Sequence, residues 1–329
     1  MLMAVTAPAA GDTILVLRAL GLGDLLTGIP ALRGLRRAYP DAHIVLATPE
    51  RFCGLAKLSG AVNSVEPTPG LGRLHPWRTP PALAVNLHGS GPQSIDDLLA
   101  MRPRTLLTHR HEVFDGLQGP PWRADQHEVD RWCGLLQWAG IPCDADDLRI
   151  ARPHGYPDRS GVVVIHPGAA SAARRWPAER FAAVAAALRD AGHEVVVTGD
   201  CNELDLARSV ARQAGLPDTS VLAGTLGLLG MVALINDCRL LICNDTGVGH
   251  IATATGAPSV LLFGPTPPDR WGPRPGRAER REGLGGGPHI ALWAGETGDP
   301  HAREPHSGLL RLTAAQVLDA VGSLLEVRA

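Results

Sequence analysis

The run from Arg239 to Pro265, RLLICNDTGVGHIATATGAPSVLLFGP, constrains the chain more than any other stretch. It opens with a short apolar segment, Leu240 to Cys243, of the length and composition of a buried strand. It breaks at Asn244-Asp245-Thr246-Gly247, continues through small residues, and closes in a second apolar run over residues 259–263. That order is strand, turn, helix, strand: a βαβ unit with Asp245 to Gly247 at the carboxyl end of its first strand. Ligands bind at that place in open α/β sheets, and the free N–H groups of a helix start suit a phosphate. Asp and Thr are also good helix caps, so the stretch taken alone supports a cap as readily as a ligand site.

Similar alternation runs through the rest of the chain. Residues 13–18 (TILVLR) predict a strand, 19–23 a Gly-rich turn, and 24–38 an amphipathic helix with Leu25, Leu32 and Leu35 inward. Pro30 requires that this helix begin late or bend. Strands follow over 43–47 and near 62–65, with a helix from Glu50 between them. Residues 67–81 are a Pro-rich loop, 82–87 a strand, 93–100 a helix, 104–107 a strand and 126–139 a helix. Proline, glycine and charge make residues 152–160 a linker, which divides the chain into domains at 1–155 and 156–329. Strands over 161–166 and 194–198 and helices over 177–191, 202–214 and 225–236 then lead into the opening stretch. A polar, Gly-rich loop over 274–288 and a terminal helix over 312–326 complete it. Two βαβ series imply an α/β protein of two doubly wound, Rossmann-like domains with a cleft between them.

Composition excludes several classes of partner. With 45% hydrophobic and 19% charged residues and a formal net charge of -2, the chain is a soluble globular protein with no electrostatic case for nucleic acid. Lys57 is the single Lys, and the Arg, Ala, Gly and Pro content follows a GC-rich genome. The six cysteines show no C-x-x-C pair and read as small core residues in a reducing cytosol. Residues 1–10 lack a basic leader region, and no stretch approaches a membrane span, which points to the cytoplasm, with peripheral contact at the inner membrane face left open.

Four places carry candidate chemistry. Gly21-Leu22-Gly23-Asp24 follows the first strand but lacks the third Gly of a dinucleotide fingerprint, position 26 being Leu26. What remains is Asp24, either an N-cap or a general base held at the carboxyl end of a strand. In residues 166–177 (HPGAASAARRWP), a strand ends in a small-residue turn and two arginines. Small residues admit backbone N–H groups to a phosphate, and Arg offers a charged fork that fits its oxygens. Glu203, after the 194–198 strand, is a first-turn carboxylate or an acceptor for a ribose. His250 lies about one and a half turns beyond Asp245 and either packs or reaches an anion at the helix start. No Walker loop, H-E-x-x-H or spaced histidine set occurs, and the helix carrying Glu128, Trp132 and Trp138 reads as packing.

Three blocks in order, ILVLRALGLGDLLTGIPALRGLRRAYPDAHI, VVIHPGAASAARRWPAERFAAVAAALRDAGHEVVVTGD and NDTGVGHIATATGAPSVLLFGPTPPDRWGP, resemble glycosyltransferase family 9, the ADP-heptose:lipopolysaccharide heptosyltransferase-like proteins. The resemblance implies a GT-B fold with no cofactor and no metal. It implies an inverting transfer of a sugar from a nucleotide-diphosphate donor, ADP-heptose first among them. It assigns Asp24 as the base, and places Arg174 where the family has a diphosphate-contacting Lys. Glu203 becomes the ribose carboxylate; Asp245, Thr246, Gly247 and His250 match the D-T-G-x-x-H donor motif, and Ser171 lies in the phosphate turn. The acceptor is left among a glycan, a lipid-linked sugar and a natural-product aglycone. A nucleotide-sugar isomerase or epimerase, or a non-catalytic binding protein, stands as the alternative on the same fold.

Overall fold

Residues 13–17 form the strand around which the first unit is built, in a computed structural model that describes residues 8–274 and 288–326. The expectations for residues 1–7 and for most of the 274–288 loop lie outside the described residues. Two units divide the chain, Met1–Leu148 and Arg149–Ala329. The division falls earlier than the 155/156 boundary expected from the Pro- and Gly-rich composition. The reason is that the segment after Leu148 is bound into the second unit. The Ile150 N–H donates to the Ala254 carbonyl at 2.9 Å, Arg149 donates to the Thr255 carbonyl, and Arg152 grips both oxygens of Asp237 at 2.7 Å.

In the first unit the elements run β1 (Thr13–Leu17), α1 (Leu22–Thr27), α2 (Ile29–Ala38), β2 (His43–Thr48), α3 (Cys53–Leu58), β3 (Ser64–Pro67), β4 (Leu83–Asn86), α4 (Pro92–Ala100), β5 (Thr105–Leu107) and α5 (Glu128–Trp138). All five strands are parallel, in the order β3-β2-β1-β4-β5. The single helix expected over 24–38 is two. It breaks at Gly28, whose N–H still bonds the Asp24 and Leu25 carbonyls, while Pro30 falls in the first turn of α2, where its missing N–H is harmless. A Cβ at Gly28 would meet the Arg18 side chain at 2.9 Å, so the break is packed against a buried arginine. Leu25, Leu32 and Leu35 are buried as expected.

The second unit runs β6 (Val163–His166), α6 (Ala178–Asp190), β7 (Val195–Val197), α7 (Leu204–Gln213), α8 (Leu228–Asp237), β8 (Leu240–Asn244), α9 (Gly247–Thr255), β9 (Ser259–Phe263), α10 (Pro268–Trp271), β10 (His289–Trp293), α11 (Ser307–Arg311) and α12 (Ala314–Glu326). Its five strands are also parallel, ordered β10-β9-β8-β6-β7. Strand β10, paired with β9 from His289 opposite Ser259, was not expected from the sequence. The core gathers Val163, Ile165, Phe181, Val184, Ile242 and Leu262, with Trp176 edge-on to Phe181 at 5.0 Å. Both faces of a parallel sheet are covered, which is why these strands read as continuous apolar runs. Cys133, Cys238 and Cys243 are core residues as expected, whereas Cys201 is exposed.

Each strand order contains one place where the chain switches direction across the sheet: between β1 and β4 in the first unit, and between β6 and β8 in the second. Crevices at the carboxyl ends of such strand pairs are where open α/β sheets hold ligands.

Candidate functional site

At the β1/β4 switch point, Arg18 leaves the end of β1 fully buried. It donates to the carbonyls of Asp24 and Leu87, and to the Thr27 hydroxyl at 3.0 Å. Burial works against its charge, and two carboxylates support it: Asp24 Oδ1 at 3.7 Å and Glu128 Oε2 at 3.8 Å. The Trp132 ring covers the guanidinium at 4.8 Å. Asp24 is not the N-cap of α1. It sits in the first turn, and its Oδ2 accepts the N–H of Gly21 at 3.1 Å, which leaves the carboxylate oriented and a quarter exposed (26%).

His88, just past β4, faces the same loop. Its own N–H is held by Asn86 Oδ1 at 3.0 Å, and its Nδ1 accepts the N–H of Ala19 at 3.2 Å, so the neutral ring carries its proton on Nε2. Burial and the nearby Arg18 push its pKa down, keeping it neutral. Glu128 is more than packing, contrary to the sequence expectation: it binds Arg131 at 2.9 Å and the Trp132 Nε1–H at 3.1 Å while facing Arg18. Trp132 is buried as expected and forms part of this charged support.

At the β6/β8 switch point the scaffold is neutral. Asn244 ends β8 fully buried; its Oδ1 accepts the N–H of Trp176 at 3.0 Å and its Nδ2 donates to the Pro167 carbonyl at 2.8 Å. It thereby ties β8 to both ends of the 167–176 turn. That turn carries Arg174, whose Nη1 reaches the Asp245 carbonyl at 3.4 Å and whose Nε is buried without a hydrogen-bond partner among the described residues. Asp245 and Thr246 precede α9, and Thr246 makes no side-chain cap, so the capping reading of the D-T-G stretch is not what the helix start shows. Burial pushes the Asp245 carboxyl up to about 6, against the pull of Arg174. Gly247 is the first residue of α9, and His250 on the same helix stacks edge-on against Trp271 at 5.8 Å. Asp245, Thr246 and His250 line one small crevice with Asn244 and Trp271.

Glu203 lies at the end of a short turn over Cys201–Glu203 before α7. Its Oε2 accepts the N–H of Asp200 at 3.0 Å and lies 3.9 Å from Nε2 of His166. Burial pushes His166 down to about 4, so the two make no ion pair near neutrality. The Ser171 hydroxyl donates to the Ala302 carbonyl at 3.1 Å, which holds the turn to a later loop. Of the residues expected from the sequence, the second unit thus brings Arg174 to the Asp245 carbonyl and sets Asp245, Thr246 and His250 around one crevice, with Gly247 at the start of the helix between them. Arg18, His88, Glu128 and Asn244 are the supporting groups that sequence reasoning missed. A lone Arg or Asn ending an apolar strand was the available signal.

Among the described residues, no group of three or more His, Cys, Asp and Glu could hold a metal ion, and no helix is long and apolar enough to cross a membrane.

Comparison with known proteins decides the family. Residues 123–281 match the model of glycosyltransferase family 9 (heptosyltransferase). Lipopolysaccharide heptosyltransferase 3 of Escherichia coli (strain K12) is 35% identical over 282 residues, covering 76% of this chain and 82% of that protein. The chain belongs to glycosyltransferase family 9. The family 9 glycosyltransferase of Veillonella parvula superposes with a TM-score of 0.79 at 24% identity, over 98% of this chain and 99% of that one. The Escherichia coli ADP-heptose lipopolysaccharide heptosyltransferase II gives 0.74 at 22% identity, over 96% and 99%. These neighbours establish the GT-B fold of two parallel α/β units. Across several further curated heptosyltransferases that it matches, the chain spans about half of their length. For this family 9 member, both switch points hold residues of the three blocks that carried the resemblance.

Proposed function

We propose that this family 9 protein transfers a heptose-like sugar from a nucleotide-diphosphate donor to an acceptor hydroxyl, with inversion at the anomeric carbon. One observation carries the proposal: Arg174 presents a buried, unpartnered N–H beside the uncapped start of α9, at the switch point of the second sheet. An orphaned buried donor is costly unless a ligand completes it, and a helix start beside a guanidinium suits a diphosphate. ADP-heptose is the donor of choice, since the Escherichia coli neighbour is named for it.

The reaction is a single displacement. Asp24 takes the proton of the acceptor hydroxyl as its oxygen attacks the anomeric carbon, and the bond to the nucleoside diphosphate breaks. Arg174 and the first N–H groups of α9 meet the charge left on the diphosphate, without calling on a metal ion. His250, behind them, orients the same end of the donor, and Glu203 accepts a ribose hydroxyl. The division of labour assigns residues 1–148 to the acceptor and 149–329 to the donor. The acceptor is a glycan or lipid-linked sugar of the kind in the relatives' names, and the work is done in the cytoplasm, at the inner membrane face where the acceptor is lipid-linked.

A thermal-shift panel of ADP-, GDP- and UDP-sugars tests the donor, because a ligand at a hundred times its Kd raises stability by about 2.7 kcal/mol. ADP-sugars should give the shift, and a panel with no shift would sink the proposal. Incubation of the responding donor with and without heptose-deficient lipopolysaccharide tests the reaction. Nucleotide release that depends on the acceptor supports transfer; conversion of the donor alone supports an isomerase or epimerase.

A further inference from the structure

Gly168 lies buried in the turn after β6, with a backbone conformation open to any residue, so its lack of a side chain is not a matter of φ. The space beside it is filled instead. A Cβ built on Gly168 would fall directly onto the carboxylate of Glu203, meeting its carbon and both oxygens. Gly199 at the end of the next strand repeats the pattern more loosely, its Cβ position being 3.0 Å from Glu203 Cβ and 3.3 Å from Oε2. Together with the Asp200 N–H on Oε2, these two bare backbones form a seat for one carboxylate. The Glu203 side chain is 15% exposed, and its Oε1 accepts no hydrogen bond among the described residues. One oxygen is therefore spent on the fold and the other is presented, fixed in place, at the carboxyl edge of β6 and β7. A carboxylate oxygen accepts, so what completes it is a donor, and on a nucleotide diphosphate the ribose hydroxyls are such donors.

We infer that Gly168 is a specificity-determining residue, its missing Cβ holding the Glu203 carboxylate where it selects a ribose hydroxyl of the donor nucleotide. The inference rests on the nucleotide-diphosphate reading above and adds what sets the selection. Gly168 acts as a positioning residue, through Glu203. What a methyl group at Gly168 would displace is the far end of a flexible side chain, so the carboxylate shifts while the fold persists.

Calorimetric binding of ADP, 2′-deoxy-ADP and 3′-deoxy-ADP to the full chain tests this. A hydrogen bond to a charged acceptor discriminates by about ten- to a hundredfold, so the wild type should bind ADP that much more tightly than one of the deoxy forms. Gly168→Ala should melt within a few degrees of the wild type and bring that ratio close to one, as should Glu203→Ala. The double variant should be no less selective than Glu203→Ala alone, because both substitutions remove one interaction. Retained selectivity in Gly168→Ala beside its loss in Glu203→Ala would overturn the inference alone. Equal weakening of all three ligands would place the role of Gly168 at the phosphates and overturn it too. So would a Gly168→Ala chain that unfolds. A wild type that binds ADP without selectivity would overturn the role of Glu203, and one that binds no ADP would overturn the donor reading itself.

Discussion

The two switch points solve opposite problems with the same sheet geometry. In the first unit, charge is buried and cancelled: Arg18 under Trp132, with Asp24 and Glu128 within 4 Å and Arg131 behind Glu128. In the second unit the scaffold is uncharged, built from Asn244, Thr198 and a neutral His166, and the charged groups are only partly compensated. Arg174 keeps an unpartnered N–H, and Asp245 is pushed toward its neutral form. A self-satisfied cluster keeps one carboxylate fixed in orientation, as a proton acceptor requires. An unsatisfied cluster holds its donors ready for a ligand that brings its own negative charge.

Substitutions separate the two behaviours. The largest effect should come from Asp24→Asn, which removes the proposed proton acceptor while keeping the shape. Transfer should fall by roughly a thousandfold or more, with ADP affinity within twofold of wild type. A variant with normal turnover would remove Asp24 from the chemistry. Arg18→Ala should be the most damaging change to stability, since it strands Asp24 and part of Glu128 and frees two carbonyls. A loss of about 3 kcal/mol in urea unfolding is expected, and a change below 1 kcal/mol would show that the cluster is not self-supporting.

Arg174→Ala should do the reverse. Among the described residues its guanidinium makes a single long bond, so stability should hardly change, while calorimetry with ADP should show a Kd raised by about ten- to a hundredfold. Unchanged affinity would break the comparison at its second half. The last effect, one of pH alone, belongs to Asp245. Its carboxyl titrates near 6 in the folded chain against 3.8 when exposed, so the folded state binds more protons between those values. Stability must then fall as pH rises from about 4 to about 6 and level off above. Asp245→Asn should flatten this slope and unfold at higher urea than wild type at pH 7, by an amount that vanishes at pH 4. Parallel pH curves for the two proteins would place the Asp245 carboxyl back in the ordinary range.

Much of the fold was legible because parallel strands buried on both faces leave continuous apolar runs such as 13–17 and 259–263. The split of α1 and α2 was foreshadowed by Pro30, yet its position depended on Gly28 giving way to the Arg18 side chain just past β1, which no local pattern records. Strand β10 escaped because His289 and Trp293 flank only three apolar residues, too few for alternation or a run to stand out. At the site, charged and small residues after strands were visible, and a helix cap competed with each of them. That Thr246 makes no side-chain cap, and that Asp24 lies inside the first turn of α1, depends on backbone geometry that residue types alone do not fix. Glu128 was read only as part of a packing helix because nothing local records the buried arginine that meets it from beyond the end of β1.

The binding of residues 149–157 into the second unit has a consequence for recombination between relatives. Arg152 closes on Asp237, and Ile150 caps a carbonyl at the end of α9, the helix whose other end follows Asp245 and Thr246. A chimera that joins this second unit to the first unit of another family member must place its seam ahead of Arg149. With the seam at residue 156, the graft would leave behind the strap that anchors α9 from below, and Asp237 would lose its guanidinium.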